Sequence, residues 1–170
     1  MDNKAEILPI VDENGTTIGS MTRQKAHDGS KILHPVVHLH VFSSKEELYL
    51  QKRPEWKDIQ PGKWDTAVGG HVGFGESIED ALARETYEEI GISGFCPQEV
   101  VRYVFESSKE RELVHVYRTT YDGEITSSKV ELDGGRFWKI TEIVANMGKG
   151  IFTPNFEHEF KKYFLKELVK

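Results

Sequence analysis

Apolar and polar residues alternate along residues 34–42, where Val37, Leu39 and Val41 share one side, and a shorter run at 48–52 follows the polar turn 43–47. A period of two predicts a β-hairpin. An earlier hairpin is predicted from runs 6–11 and 16–21 around Asp12-Glu13-Asn14-Gly15, since an Asn-Gly pair takes up the positive φ of such turns. Pro54, Pro61-Gly62 and the glycines Gly69, Gly70, Gly73 and Gly75 break regular structure around residues 64–68, giving a loop, a strand and a second loop. The period then becomes helical. Over residues 77–90, Ile78, Ala81, Leu82 and Ile90 form a partial apolar face, Ser77 and Asp80 stand in capping positions, and Gly91 follows the last turn. Strands are expected at 100–106, 113–121 and 135–140, and a short helix at 141–147. Phe156, Phe160, Phe164 and Leu168 recur every four residues, which predicts a closing amphipathic helix from residue 155 with Lys161, Lys162 and Lys166 on its wet side.

The alternation of strands and helices is an α/β pattern. At 170 residues one domain is expected over 1–170, with a small N-terminal hairpin extension over 1–25 and a C-terminal helix over 153–170. Composition adds exclusions. The lone cysteine, Cys96, cannot close an internal disulfide and reads as a small buried residue, so a cytoplasmic location is expected. No run approaches the roughly 20 apolar residues of a membrane span. A net charge of -6 argues against nucleic acid as a partner and is compatible with a small anion carried by a metal; a homodimer is left open.

Glu85, Glu88 and Glu89 fall at i, i+3 and i+4 on one helical face. Like charges so spaced repel. Either the face is solvated surface, or a hard cation such as Mg²⁺ or Mn²⁺ sits among the carboxylates and carries a phosphorylated ligand. In the second case a glutamate left over can serve as general base for water.

The surrounding residues resemble the Nudix hydrolase family. Gly70, five residues, Glu76, seven residues, Arg84-Glu85, two residues, Glu88-Glu89, Ile90, Gly91 and Ile92 follow that family's box, with Thr86 standing where an aliphatic residue is usual. The resemblance implies an α/β/α sandwich with a mixed central sheet. It implies Glu85, Glu88 and Glu89 as catalytic metal ligands or base, joined by a carbonyl near Gly70, and Glu76 paired with Arg84 to hold the loop on the helix. That pair also reads as an ordinary surface ion pair worth ~1 kcal/mol or less. The glycines read equally as plain turn residues or as places where backbone approaches metal and phosphate.

Residues 11–156 also resemble type I isopentenyl diphosphate isomerase, a relative of the same fold. His27, His34, His71, Glu110 and Glu112 match its metal-binding histidines and glutamates, and Arg53 and Lys57 fall where that family grips the diphosphate. Imidazoles with carboxylates suit Mn²⁺, Mg²⁺ or Zn²⁺. The departure is Gly69, where the isomerases carry a proton-exchanging cysteine. His38, His40, His115 and His158 read as core or surface residues, Trp64 and Trp138 as core or pocket wall, and Trp56 as a substrate contact. The expectation is a divalent-metal-dependent hydrolase of a diphosphate linkage in a small molecule, with Mg²⁺ or Mn²⁺ as cofactor; the alternative is an isomerase or isomerase-like binder of isoprenoid diphosphates.

Overall fold

Strands β1 (Ile7–Val11) and β2 (Thr17–Thr22) form the expected first hairpin in the computed structural model, which describes residues 3–169. Residues 1, 2 and 170 of the predicted end segments lie outside the described residues. Asp12 Oδ1 accepts from the N–H groups of Asn14 and Thr16, each at 2.9 Å, and Gly15 takes the φ of 85° that the reversal needs. A short helix, α1 (Arg23–Ala26), follows directly, capped by Thr22 Oγ1, which accepts from Lys25 N–H at 3.2 Å. The sequence pattern gave no sign of α1, because one turn of helix is too short to show a period. Leu8, Met21 and Ala26 bury themselves under the hairpin, while Val11 packs with Leu33 and Leu113 and ties it to the main sheet.

That sheet contains β3 (Leu33–Phe42), β4 (Leu48–Lys52), β5 (Trp64–Thr66), β6 (Val68–His71), β7 (Gln98–Glu106), β8 (Arg111–Thr120) and β9 (Gly135–Trp138). β3 and β8 run parallel along their whole length and the other pairings are antiparallel, so the sheet is mixed. β3 and β4 pair only through Val41 with Tyr49 and Phe42 with Leu48 before they part. β5 and β6 fill the fork, first against β4 and then against β3, which sets Gly69, Gly70 and His71 beside His38, Val37 and Val36.

Alternation along β3 sends successive side chains to opposite layers. Val37, Leu39 and Val41 pack on Ala81, Leu82 and Ile90 of α2 (Ile78–Ile90). Val36 and Phe42, with Val114 and Val116 of β8, pack under Trp138, Phe152, Phe156, Phe160 and Phe164 on the other face. There lie α3 (Ile140–Asn146), α4 (Pro154–Glu159), a π-helical turn (Phe160–Phe164) and α5 (Leu165–Leu168). The result is the expected α/β/α sandwich.

The closing helix is less regular than its four-residue spacing suggested, and the spacing explains why. At 3.6 residues per turn, a residue repeated every four drifts by about 40° per step. The wider turn, in which Leu165 N–H donates to the Phe160 carbonyl, offsets that drift and keeps Phe156, Phe160 and Phe164 all buried. Cys96 corrects the sequence reading: its side chain is exposed. The strap from Gly91 to β7 is anchored there by backbone instead, the Cys96 carbonyl accepting from Thr119 Oγ1 at 3.0 Å. Among the described residues no helix is long and apolar enough to cross a membrane.

Candidate active site

Helix α2 is entered through Ser77, whose Oγ accepts from Asp80 N–H at 3.1 Å, and ends at Gly91 with φ 69°. Its buried residues include Thr86 and Glu89 as well as the apolar set. Thr86 is fully buried, and its hydroxyl donates to the Leu82 carbonyl one turn back at 2.6 Å, which is how a threonine fits an aliphatic position.

Glu76 and Arg84 pair as expected. Arg84 donates through Nε to Glu76 Oε2 at 2.8 Å and through Nη2 to Glu76 Oε1 at 3.0 Å, and Glu76 Oε1 also accepts from Gly73 N–H at 2.9 Å. Arg84 holds the Glu76 carboxyl below the usual glutamate range. The pair is more than an isolated surface bridge, since Arg84 Nη2 reaches the His71 carbonyl at 3.1 Å and Nη1 reaches Glu85 at 2.8 Å and Glu88 at 3.3 Å. One guanidinium thus ties loop, strand and helix together.

The three helix glutamates differ in setting. Glu88 is half-exposed, Glu85 is mostly buried, and Glu89 is buried with Oε2 accepting from Gly69 N–H at 3.0 Å. Glu85 crosses the backbone of Gly70 so closely that a Cβ there would stand 2.5 Å from its Cγ, so Gly70 serves the close approach and not only the turn. Burial pushes Glu85 up to about 7 against the pull of Arg84, and burial together with Glu85 pushes Glu89 well above the usual range. Glu131, on the segment between β8 and β9, adds its charge to both and lines the same cleft. Sequence reading missed Glu131, and no motif surrounds it; the backbone bonds from Ser128 N–H to Glu89 O and Thr126 N–H to Ile90 O bring it there.

Next to this helix the structure brings His27, His34, His71, Glu110 and Glu112 together. His27, which ends α1, has Nε2 3.1 Å from His71 Nε2 and 3.2 Å from Glu110 Oε2. Donor atoms of His27, His34 and His71 lie within 4.8 Å of one another, as do those of His34, Glu110 and Glu112. His34 Nδ1 donates to the Ile32 carbonyl at 3.0 Å, which leaves Nε2 as a buried lone pair with no partner. Burial lowers His34 and takes His71 well below its ordinary value, favouring the neutral form of both rings; burial and Glu110 push Glu112 up to about 8. Neutral imidazoles, crowded carboxyls and an orphaned nitrogen fit a divalent cation.

His34 is fully buried and not part of the lining, while the helix glutamates Glu85, Glu88 and Glu89 line one cleft of about 920 Å³ together with His27, His71, Glu110 and Glu112. β6 is its seam: Gly69 meets Glu89, Gly70 passes under Glu85, and His71 joins the histidines. Arg53 and Lys57 also line it, Arg53 held by the Ile59 carbonyl at 3.0 Å and Asp65 at 3.4 Å. Trp56 is exposed with Lys57 over its ring and is not part of the lining, while Trp64 and Trp138 pack edge to face in the core. Of the remaining histidines, His115 is buried and His158 lies against Tyr103, but His38 reaches the cleft.

The chain is similar to an uncharacterised Nudix hydrolase of Pseudomonas aeruginosa, 33% identical over 133 residues that make up 78% of each chain. It is similar to the isopentenyl-diphosphate Delta-isomerase of Streptomyces coelicolor, 30% identical over 159 residues, covering 90% of this chain and 81% of that one. Among solved structures, the DR0079 protein of Deinococcus radiodurans superposes with a TM-score of 0.81 at 21% identity, over 94% of this chain and 99% of that one, a likeness of fold. The family model for the NUDIX domain matches residues 32–165, which spans both faces of the sheet and all of α2 while leaving out the first hairpin and His27, and by that match the chain belongs to the NUDIX domain family.

Proposed function

We propose that the protein is a divalent-cation-dependent hydrolase of a diphosphate linkage in a small molecule, such as a nucleoside diphosphate derivative. The observation that carries this reading is that Glu85, Glu88 and Glu89 of α2 all line one cleft, with Glu85 and Glu89 desolvated and raised in pKa. Glu85, Glu88, Glu89 and the Gly70 carbonyl would hold Mg²⁺ or Mn²⁺, which when bound would supply charge neutralisation of the diphosphate and polarisation of phosphorus. Arg84 orients Glu85 and Glu88. Water oxygen bonds to phosphorus, its proton passes to a helix glutamate, and the bridging P–O bond breaks with its electron pair leaving on the departing phosphate. Arg53 and Lys57 hold the diphosphate, and His27, His34, His71, Glu110 and Glu112 provide a place for a cation. The test is Mg²⁺-dependent phosphate or monophosphate release from a panel of such compounds. Glu88→Gln should lower kcat by about a hundredfold or more; an unchanged rate would rule out the assignment.

A second reading, isomerisation of isopentenyl diphosphate, is favoured by the histidine–glutamate cluster and by relatives that bear the isomerase name. Gly69 carries no acid or base, and Cys96 does not line the cleft. Incubation in heavy water decides it: no deuterium in recovered isopentenyl diphosphate excludes isomerisation.

A further inference from the structure

His38 and His40 stand on the face of β3 that meets the C-terminal helices, and both turn to Glu159, the last residue of α4. Glu159 is fully buried and accepts three bonds: from His38 Nδ1 at 2.6 Å, His40 Nε2 at 3.0 Å and the Tyr103 hydroxyl at 2.6 Å. Although burial opposes its charge, the two histidines hold the carboxyl well below the usual range. A buried carboxylate needs one counter-charge. His40 donates from a fully buried ring whose Nδ1 has no partner, whereas His38 lies at the cleft and can supply it. Its Nδ1 is occupied by Glu159, while Nε2 has no partner among the described residues, and the ring lines the cleft. Burial pulls His38 down, but Glu159, and after it Glu112 and Asp65, push it up to about 9, so the ring is an imidazolium at neutral pH.

Gly69 is what leaves that ring uncovered. A Cβ at this position would sit 3.5 Å from His38 Cδ2 and 3.7 Å from Nε2, so any longer side chain would cover the nitrogen. An ion pair buried only to hold the fold is at best neutral compared with apolar packing. A fixed cation at the wall of a carboxylate-rich cleft has a clearer use, because a diphosphate approaching Glu85, Glu89, Glu112 and Asp65 needs positive partners besides the metal.

We propose that His38, clamped by Glu159, is a substrate-contacting residue whose Nε2–H donates to an anionic oxygen of the bound diphosphate compound in the space that Gly69 leaves open. Glu159 is then a positioning residue that acts through His38. The proposal rests on the reading of the cleft as a diphosphate site.

The probe is inorganic pyrophosphate with saturating Mg²⁺, added to the full chain labelled with ¹⁵N at histidine. The His38 Nε2 resonance should move on binding, with His40 far less affected, an outcome that a purely structural pair would not produce. His38→Gln and Glu159→Gln should each weaken pyrophosphate binding about ten- to a hundredfold, the range for loss of one charge-assisted hydrogen bond. Unliganded melting temperature and circular dichroism check that each variant folds, and the wild-type spectrum needs no variant. A His38 signal that stays still while pyrophosphate binds, equal affinity in folded His38→Gln, or no pyrophosphate binding at all overturns the proposal. Hydrolysis is scored separately through turnover and Glu88→Gln, so a still His38 in an active enzyme removes only this inference. A shifted His38 in a protein that hydrolyses nothing removes only the other.

Discussion

Removing divalent cations and raising the pH sets the carboxyl groups of the cleft against their surroundings. Burial pushes Glu85 up to about 7 and Glu112 up to about 8, from an ordinary 4.5. A carboxyl raised in this way binds its proton more tightly in the folded protein. The stability so gained is complete below pH 4.5 and is lost as pH rises through 7 and 8. At about 1.4 kcal/mol per pH unit of displacement the two carboxyls together lose roughly 5 kcal/mol between about pH 5.5 and 8.5, which at roughly 2–4 °C per kcal/mol lowers the cation-free Tm by roughly 10–20 °C. His34 and His71, lowered by burial, act at the other end: stability is lost as pH falls below 6.5 and the unfolded rings take up protons. A divalent cation takes the place of the carboxyl protons and uses the imidazole lone pairs, so its stabilisation grows with pH. At a concentration of about 100 Kd it contributes ~2.7 kcal/mol, roughly 5–10 °C. The assay is calorimetry of EDTA-treated protein at about pH 5.5, 7 and 8.5, with and without Mn²⁺. A cation-induced rise in Tm that is equal at the two extremes, or absent from both, refutes the reasoning.

Other outcomes are expected from single residues. Gly70→Ala drives Glu85 off its position and should abolish most of the Mn²⁺-induced rise in Tm while leaving the far-ultraviolet dichroism unchanged; a full rise in this variant would show that Glu85 does not need the bare backbone. Phe160→Ala empties a fully buried ring site at the π-helical turn and should cost about 3–5 kcal/mol in urea unfolding, whereas a loss below about 1 kcal/mol would mean that the turn re-forms around the gap. Thr86→Val removes a buried hydroxyl that bonds only within its own helix, so stability should change by less than about 1 kcal/mol, and a larger loss would reveal a further partner of that hydroxyl.

Legibility in the sequence followed chain separation. Strand and helix positions were readable because alternation and helical spacing are local, and the glutamates of α2 were readable because a helix fixes i, i+3 and i+4 on one face. The bounds of β3, β4 and α2 agree with expectation within a residue or so. The one-turn α1 and the π-helical turn were not readable, the first being too short for a period and the second being a response to packing of phenylalanines against the sheet. Cys96 was misread because cysteine is buried on average, while here the strap beyond Gly91 buries Ile92 and turns Cys96 outward.

By itself the sequence determined the order of elements, the α/β class and the acidic face of α2, all of which arise from backbone geometry acting over a few residues. Tertiary structure alone decided that β3 and β4 part so that β6 lies between two clusters of ligands, that Glu131 reaches α2, and that Glu159 meets His38 across 121 positions of chain. Those contacts depend on sheet register and on how helices dock, and the free energy that selects them is spread over the whole core, so no short stretch of residues records it.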